Sequence, residues 1–370
     1  MKSLSGVETQ YFASGVRIRR SATPDAKYCV STPLNDPKTK PPVLLAAASQ
    51  LSPLITFSYI LAEAPLSHPS RPAAPALIVL AGATGDLGFR IAQALLERGA
   101  QVRALVRPGN TKPEIAQLRN RGVAIIEVDF KDEVALTQAC AGAACVVSAL
   151  SGLRDVIIDA QTHLLDAAVA AGVPRFIPSD FAIDFTKLPE GSNRNLDLRR
   201  EFGRHLDRMP IKATSILNGM FMDLLTGQAP LVLFKIKRIL YWGSADQPLD
   251  FTTIANTAEY TAAAALDPTT PRYLRVAGEV ATIRDLQAAA SAATGQRFRR
   301  LRAGGLWVLK LMIRLTRRLV PARNEVFPPW QGMQYLHNMF TGLPKFGTLD
   351  NARYPDIRWT PIREVLAARP

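Results

Sequence analysis

The chain has few cysteines, and they do not form the pattern of a small disulfide scaffold. Of its 370 residues only three are cysteines, Cys29, Cys140 and Cys145, and their spacing matches no metal-binding motif. A protein of this size without a disulfide framework is typical of a reducing compartment, so a cytoplasmic location is expected. No metal site is predicted.

Acidic residues are missing from one long segment. Between Arg297 and Arg323 there are nine lysines or arginines and no Asp or Glu, and this segment carries most of the net charge of +14. A basic protein can bind nucleic acid, but the chain has no zinc-finger spacing and no RNA-binding aromatic motif. We therefore expect no nucleic-acid partner, and an anionic lipid and an anionic cofactor or substrate both remain open as the match for this charge.

Sustained hydrophobic periodicity is absent from the first 75 residues. They are rich in Pro, Ser and Ala, which predicts a disordered N-terminal extension over 1–75. Residues 43–62 carry no charge and are long enough to cross a bilayer. Gln50 and Pro53 interrupt this run, so a membrane anchor is the minor alternative.

From residue 76 onward, apolar runs alternate with segments of helical periodicity. The apolar runs are 77–82, 102–106, 123–128, 144–150, 175–178 and 211–216, and the helical segments are 87–99, 112–120, 132–140, 156–172 and 193–208. This alternation predicts an α/β fold, a doubly wound parallel-sheet Rossmann domain over 76–217.

After residue 217 the alternation loosens. The stretch 231–243 is typical of a hairpin or a pair of strands, 257–266 of a helix, 273–280 of a strand and 282–293 of a helix. We expect 218–370 to form a smaller C-terminal substrate lobe, intertwined with the Rossmann domain.

The stretch LIVLAGATGDLGFR, residues 77–90, has the order strand, glycine turn, helix. Glycines at such a turn allow a sharp bend and let a pyrophosphate approach where a Cβ would collide, beside the positive end of the helix. A purely structural turn is the alternative. The predicted pyrophosphate-binding residues are Gly82, Ala83, Thr84, Gly85, Asp86, Leu87 and Gly88.

The second predicted strand ends in Arg107, at the position that selects between dinucleotides. An acidic residue there binds the ribose 2′-hydroxyl of NAD, whereas an arginine suits the 2′-phosphate of NADP. No Asp or Glu occurs over 101–113, so NADP is the predicted cofactor, with NADPH favoured over NADH. A solvated surface arginine is the alternative interpretation.

Two further strand ends supply candidate walls for the cofactor. Asp129 and Phe130 follow the third strand, where an adenine ring would lie between a polar group and an apolar side chain. The fourth strand ends in Ala149, Leu150 and Ser151, which are small enough for the dinucleotide to pass. Alternatively, Asp129 caps the helix that starts near residue 132.

Several motifs of the chain together resemble those of a known family. GATGDLG, the ALVR strand end, VDF, VVSALSG and RFIPSDF occur in the order and spacing of the NmrA-like and isoflavone-reductase-like proteins, an atypical branch of the short-chain dehydrogenase/reductase superfamily. LDLRREFGRHLD, IKATSILNGMF and RYPDIRWTPIREVL extend the resemblance. It implies an NADP-binding Rossmann domain with a small C-terminal substrate domain.

The chain lacks two catalytic signatures of the superfamily. The resemblance implies a proton-transferring lysine four residues before Arg199, and Asn195 stands there instead. None of the eight tyrosines is followed by a lysine four residues later, so the Tyr-x-x-x-Lys pair is absent. Asn195 and Asp180 are the candidate catalytic residues. The other titratable residues near the expected cleft are Asp184, Asp197 and His205, and a catalytic role for each remains an open alternative.

A basic amphipathic helix is predicted over 304–320. Such a helix packs on the core with a solvated cationic face, covers an apolar pocket as a lid, or contacts lipid or a partner. All three interpretations remain open.

Two functions follow from these patterns. The first is an NADPH-dependent reductase of a small carbonyl or conjugated double bond, whose substrate is otherwise unidentified. The second, motivated by the missing lysine and tyrosine, is a non-catalytic NAD(P) redox sensor that regulates a protein partner. The oligomeric state is not predicted.

Overall fold

The computed structural model describes residues 75–369. The predictions made for residues 1–74, including the apolar run 43–62, lie outside the described residues. Within the described part, no helix is both long and apolar enough to cross a membrane.

A six-stranded parallel sheet organises the first half of the described chain. Its strands are β1 (Leu77–Ala81), β2 (Gln101–Val106), β3 (Ala124–Glu127), β4 (Cys145–Ser148), β5 (Arg175–Ile177) and β6 (Lys212–Ala213), in the order β3-β2-β1-β4-β5-β6. The strand order reverses between β1 and β4, which confirms the predicted doubly wound fold. Ligands of such sheets bind at the carboxyl ends of the strands, at this reversal.

Helices connect these strands. They are α1 (Asp86–Glu97), α2 (Pro113–Asn120), α3 (Glu133–Cys140), α4 (Gln161–Ala170), which follows a π-helical segment (Asp155–Ala160), and α5 (Arg194–Leu206). A right-handed crossover between parallel strands places each helix on one face of the sheet, with its N-terminus near the carboxyl ends of the strands.

The sheet is buried on both faces, as continuous apolar strands predict. Along β1, Ile78 and Leu80 pack into one core, whereas Val79 and Ala81 pack into a core on the opposite face. All four side chains are fully buried. The central strand is therefore held by apolar contacts from two helical layers.

The remaining elements follow the Rossmann sheet in the chain. The strands are β7 (Ser215–Leu217), β8 (Met220–Phe221), β9 (Val232–Leu233), β10 (Arg238–Tyr241), β11 (Leu249–Thr252), β12 (Tyr273–Arg275), β13 (Glu279–Ala281) and β14 (Arg299–Arg302). The helices are α6 (Ile254–Leu266), α7 (Ile283–Thr294), α8 (Leu306–Leu319), α9 (Pro329–Phe340) and α10 (Ile362–Ala367). Most of their apolar side chains share a third core.

Two sequence predictions for this region have different outcomes. The hairpin or pair of strands expected over 231–243 is confirmed as a hairpin, because β9 and β10 pair antiparallel. The single strand expected over 211–216 is wrong: β6 ends at Ala213, and β7 leaves the large sheet to pair with β12. The interruption at Thr214 therefore separates two pairings that the apolar pattern merged.

Candidate active site

The glycine turn, residues 82–88, begins at the carboxyl end of β1. Gly82 has a φ of +85°, in the region that favours glycine. The Gly85 amide donates to the Gly82 carbonyl over 3.0 Å, and Gly85 is the N-cap of α1. The chain thus passes from strand to helix within one tight turn at the reversal of strand order.

The three glycines meet different surroundings. A Cβ on Gly82 would lie 2.5 Å from the Ala149 carbonyl oxygen, and one on Gly88 would collide with the Gly82 carbonyl. On Gly85 the nearest heavy atom would be 3.5 Å away, an ordinary contact distance, and this residue is exposed. Gly82 and Gly88 are therefore required by the packing of the chain, whereas Gly85 borders open space.

This open space fits an anion. Among residues 75–369, no side chain caps the amide groups of the first turn of α1, and these amides carry the positive end of the helix dipole. The one acid in that turn, Asp86, is exposed and its carboxylate accepts from Arg90 Nε over 2.7 Å. The geometry of the turn therefore suits the pyrophosphate of a dinucleotide.

Arg107 directly follows β2, next to the glycine turn in the sheet. Ala81 of β1 pairs with Leu105 of β2, so Gly82 and Arg107 leave neighbouring strands at the same edge. Arg107 is exposed, and its guanidinium bonds to no side chain or backbone group among residues 75–369. Its position and free donors suit the 2′-phosphate that the sequence predicted.

The other predicted cofactor-wall residues also lie at this edge. Asp129 is exposed and accepts from the Lys131 amide over 3.0 Å, and Phe130 beside it is half-buried. The alternative that Asp129 caps the following helix is wrong, because Asp132 caps α3 by accepting from the Ala135 amide. Cofactor binding by Asp129 and Phe130 stays a prediction.

The end of β4 is joined to the loop that follows β5. Ala149 and Leu150 are half-buried and Ser151 is exposed. The Leu150 carbonyl accepts a hydrogen bond of 2.6 Å from Ser179 Oγ, directly before Asp180. The predicted cofactor wall and the first candidate catalytic residue are therefore neighbours at the carboxyl edge of the sheet.

Asp180 is a buried carboxyl group with one unused oxygen. Its Oδ2 accepts from Ser215 Oγ over 2.6 Å, whereas Oδ1 has no hydrogen-bond partner among the described residues. Burial raises the pKa of Asp180, and the Ser215 hydrogen bond and the positive charges of Arg199 and Arg272 oppose this only in part. Asp180 is therefore more easily protonated than an exposed aspartate.

Asn195 lies in the first turn of α5 and has a structural role. Its Nδ2 donates to the Val326 carbonyl over 2.9 Å, and its Oδ1 accepts from Arg194 Nε over 3.1 Å. The side chain is buried. At the position where the resemblance implies a lysine, the chain has an amide that fastens α5 to the segment before α9.

Tyr335 on α9 is the residue that sequence reasoning missed. Its side chain lies near that of Asn195, close to the charges of Arg194 and Arg199. Burial raises the pKa of Tyr335 in spite of both cations, so its hydroxyl is protonated at neutral pH. No local motif marks this residue, because α9 comes long after α5 in the chain.

The three remaining titratable candidates have other partners. Asp184 is buried and accepts from Arg275 Nε over 2.8 Å, and Asp197 lies 3.2 Å from Arg200. His205, at the other end of α5, lies 3.9 Å from Asp166. These contacts hold helices and loops together.

One lysine does lie in the loop between β5 and α5. Lys187 Nζ donates to the Lys345 carbonyl over 2.7 Å and lies 3.7 Å from Asp184. It is engaged in joining this loop to the C-terminal region, so it does not replace the missing lysine of α5.

Comparisons with known proteins agree with this geometry. Residues 75–340 match the NmrA-like family. Pinoresinol reductase 1 of Arabidopsis thaliana is 30% identical over 208 residues, which cover 52% of this chain and 65% of that protein. The isoflavone reductase homolog IRL of Zea mays is 26% identical over 308 residues, which cover 78% of this chain and 96% of the relative.

A solved structure has the same fold. The structure described as AtPrR2 with NADP+ and (+)pinoresinol superimposes with a TM-score of 0.65 at 22% identity, over 80% of this chain and 98% of that one. The family match spans more than half of the chain and confirms the resemblance seen in its motifs. The chain belongs to the NmrA-like family.

Proposed function

We propose that this protein is an NADPH-dependent reductase that acts on a small carbonyl or conjugated double-bond compound. One observation carries the proposal. The open glycine turn at the reversal of strand order lies beside Arg107, with no acid over 101–113 to bind an unmodified ribose. The names of the relatives, which are reductases, and the NADP+ in the AtPrR2 structure support it.

In this proposal the chain binds the cofactor through the residues at the carboxyl edge of the sheet. The amide groups at the start of α1 bind the pyrophosphate, and Arg107 binds the 2′-phosphate. Leu150 and Phe130 are half-buried and line the sides of the cleft with apolar surface. NADPH, when bound, supplies the hydride for the reduction.

The chain must also supply a proton to the reduced substrate. Asn195 does not provide one, because an amide has no useful acidity near neutral pH. Tyr335 holds a protonated hydroxyl beside Asn195, and Asp180 is the second candidate because its raised pKa favours the acid form. We assign the proton to Tyr335, since it is the titratable side chain next to Asn195, the residue at the position of the missing lysine.

A second function is favoured by a separate observation. The Asn195 amide binds Val326 and Arg194, so the position of the catalytic lysine serves as a structural tether. A chain of this kind would act as an NAD(P) sensor that changes its affinity for a protein partner. The reductase remains the first proposal because Tyr335 offers another proton source.

Two measurements on the full-length protein separate these functions. We expect NADPH to bind more tightly than NADH in a calorimetric titration, and NADPH to be oxidised with at least one member of a panel of enones, quinones and aldehydes. Tight NADPH binding without turnover, together with partner binding that changes with NADP, would favour the sensor. Equal affinity for NADPH and NADH would contradict the reductase as stated, and equal partner binding with and without nucleotide would contradict the sensor.

A further inference from the structure

Helix α8 has a stripe of large apolar side chains exposed to solvent. Trp307, Leu311, Leu315 and Leu319 are 70, 44, 52 and 78% exposed. They recur every fourth residue, so they follow one another along the helix surface. Only Leu309 of this helix is fully buried. Exposed apolar stripes of this size are characteristic of a binding surface.

Cationic side chains flank this stripe. Lys310 and Arg314 each precede a leucine of the stripe by one position, and Arg317 and Arg318 lie in the last turn of α8. All four are exposed. Within 75–369, none of them forms an ion pair with a carboxylate. The stripe therefore has an uncompensated positive border on its own helix.

Strand β14, which leads into α8, adds to this charge. Its sequence is RRLR, and all four residues are exposed. Arg299, Arg300 and Arg302 line an open cavity of about 840 Å³. The acid in that cavity, Asp246, is already paired with Arg284. Strand β14 and helix α8 together form what we call the α8 surface.

Apolar and cationic groups in this combination match an anionic lipid surface. The acyl region takes up the apolar side chains, and the phosphate groups attract the lysine and arginines. A second copy of the chain is a poor match, because two positive surfaces repel each other. With 14 residues, α8 is about 21 Å long, too short to span the roughly 30 Å hydrocarbon core. It would therefore lie in the plane of the interface.

We propose that the α8 surface docks this protein onto anionic membranes, with the stripe inserted at the level of the lipid headgroups. The end of α8 also lies near the start of α5. Arg317 lies over the Trp330 ring at 5.3 Å, and Arg194 lies over the same ring at 4.7 Å. Because Arg194 is adjacent to Asn195, docking places the start of α5 close to the membrane. This proposal stands independently of the reductase activity.

The test is co-sedimentation of the full-length protein with vesicles. One set is phosphatidylcholine alone, and the other contains phosphatidylglycerol as well. We expect binding to the anionic set, weakened by added salt. Trp307→Ser combined with Leu311→Ser should weaken it by more than roughly tenfold, since the transfer energy of two large apolar side chains is lost. Lys310→Gln and Arg314→Gln should each weaken it roughly fivefold.

Matched controls test whether position matters. Val134→Ser removes an apolar side chain that is 69% exposed on α3, and Arg119→Gln with Arg363→Gln removes two exposed charges elsewhere. These variants should bind like the wild type. Thermal unfolding should be unchanged in all variants, because every substituted side chain is exposed.

Three results would overturn the proposal. Absence of binding to anionic vesicles would exclude lipid as the partner. If the α8 variants bind vesicles as well as the wild type does, the binding site lies in another part of the chain, such as 43–62. A sedimentation shift from dimer to monomer in the Trp307→Ser, Leu311→Ser variant, without vesicle binding by the wild type, would assign the surface to self-association.

Discussion

The side-chain amide of Asn195 donates a hydrogen bond of 2.9 Å to the backbone carbonyl of Val326. This bond joins the start of α5 to the segment that precedes α9. Tyr335 lies on α9. At the position where the resemblance implies a lysine, the chain therefore has a side chain that joins two segments of the structure. The proposed proton donor, Tyr335, lies on the helix next to this tether.

Removal of this tether should affect stability. Asn195→Ala removes one of the two donors of the half-buried Val326 carbonyl, which also accepts from Arg194 Nη2 over 2.9 Å, so we expect the free energy of unfolding to fall by about 0.5 to 1.5 kcal/mol. Urea denaturation measures this change, and calorimetry should show unaltered NADPH affinity. An unchanged unfolding free energy together with lost turnover would mean that Asn195 acts on the substrate directly.

Substitutions of two glycines of the turn should have different effects on stability and on NADPH binding. Gly85→Ala places a methyl group in open space, so we expect a stability change within about 1 kcal/mol and a clear loss of NADPH affinity. Gly88→Ala forces a collision with the Gly82 carbonyl, and we expect destabilisation of about 3 kcal/mol. Denaturation and calorimetry on both variants check this. Full NADPH affinity in Gly85→Ala would exclude the proposed pyrophosphate position.

The hydroxyl of Tyr335 should matter for turnover and little for binding. For Tyr335→Phe we expect turnover to fall by about a hundredfold or more, the usual contribution of a general acid, with unchanged NADPH affinity. Tyr273→Phe, on the half-buried Tyr273, is the matched control. Equal turnover in the two variants would remove Tyr335 from the mechanism and leave Asp180 as the candidate.

The buried carboxyl group of Asp180 should make stability depend on pH. Its pKa in the folded state is raised, so its stabilising contribution is complete below the unfolded pKa of about 3.9 and is lost as pH rises through the folded value. Relative to Asp180→Asn, the wild type should therefore lose stability with rising pH. Urea denaturation of both proteins at a series of pH values from about 3.9 upward measures this loss. A difference in unfolding free energy that does not change with pH would contradict the effect of burial on Asp180.

Local patterns predicted the Rossmann half of this molecule well. The glycine turn and Arg107 were found from the sequence because strand, turn and strand end are adjacent in the chain. The spacing of the glycines did not show that Gly88 is required by packing whereas Gly85 borders open space. That difference depends on the atoms that a Cβ would contact, because a Cβ on Gly88 would collide with the Gly82 carbonyl and one on Gly85 would not.

Contacts between segments that are distant in the chain could not be predicted from the sequence. Strand β14 was not expected because RRLR has no apolar face, yet its backbone pairs with β10 through Arg238 and Arg299. Tyr335 was missed because its meeting with Asn195 depends on how α9 packs against α5. The amphipathic pattern of 304–320 was visible, but only the structure shows that Trp307 and Leu319 are exposed.

The most direct test of the account is the nucleotide preference set by Arg107. Calorimetric titration of the wild type should show tighter binding of NADPH than of NADH. Arg107→Ala should weaken NADPH binding by about 1 to 3 kcal/mol and leave NADH binding unchanged, whereas Arg119→Ala, an exposed arginine on α2, should change neither. Equal weakening of both nucleotides by Arg107→Ala, or no binding of NADPH by the wild type, would contradict the account.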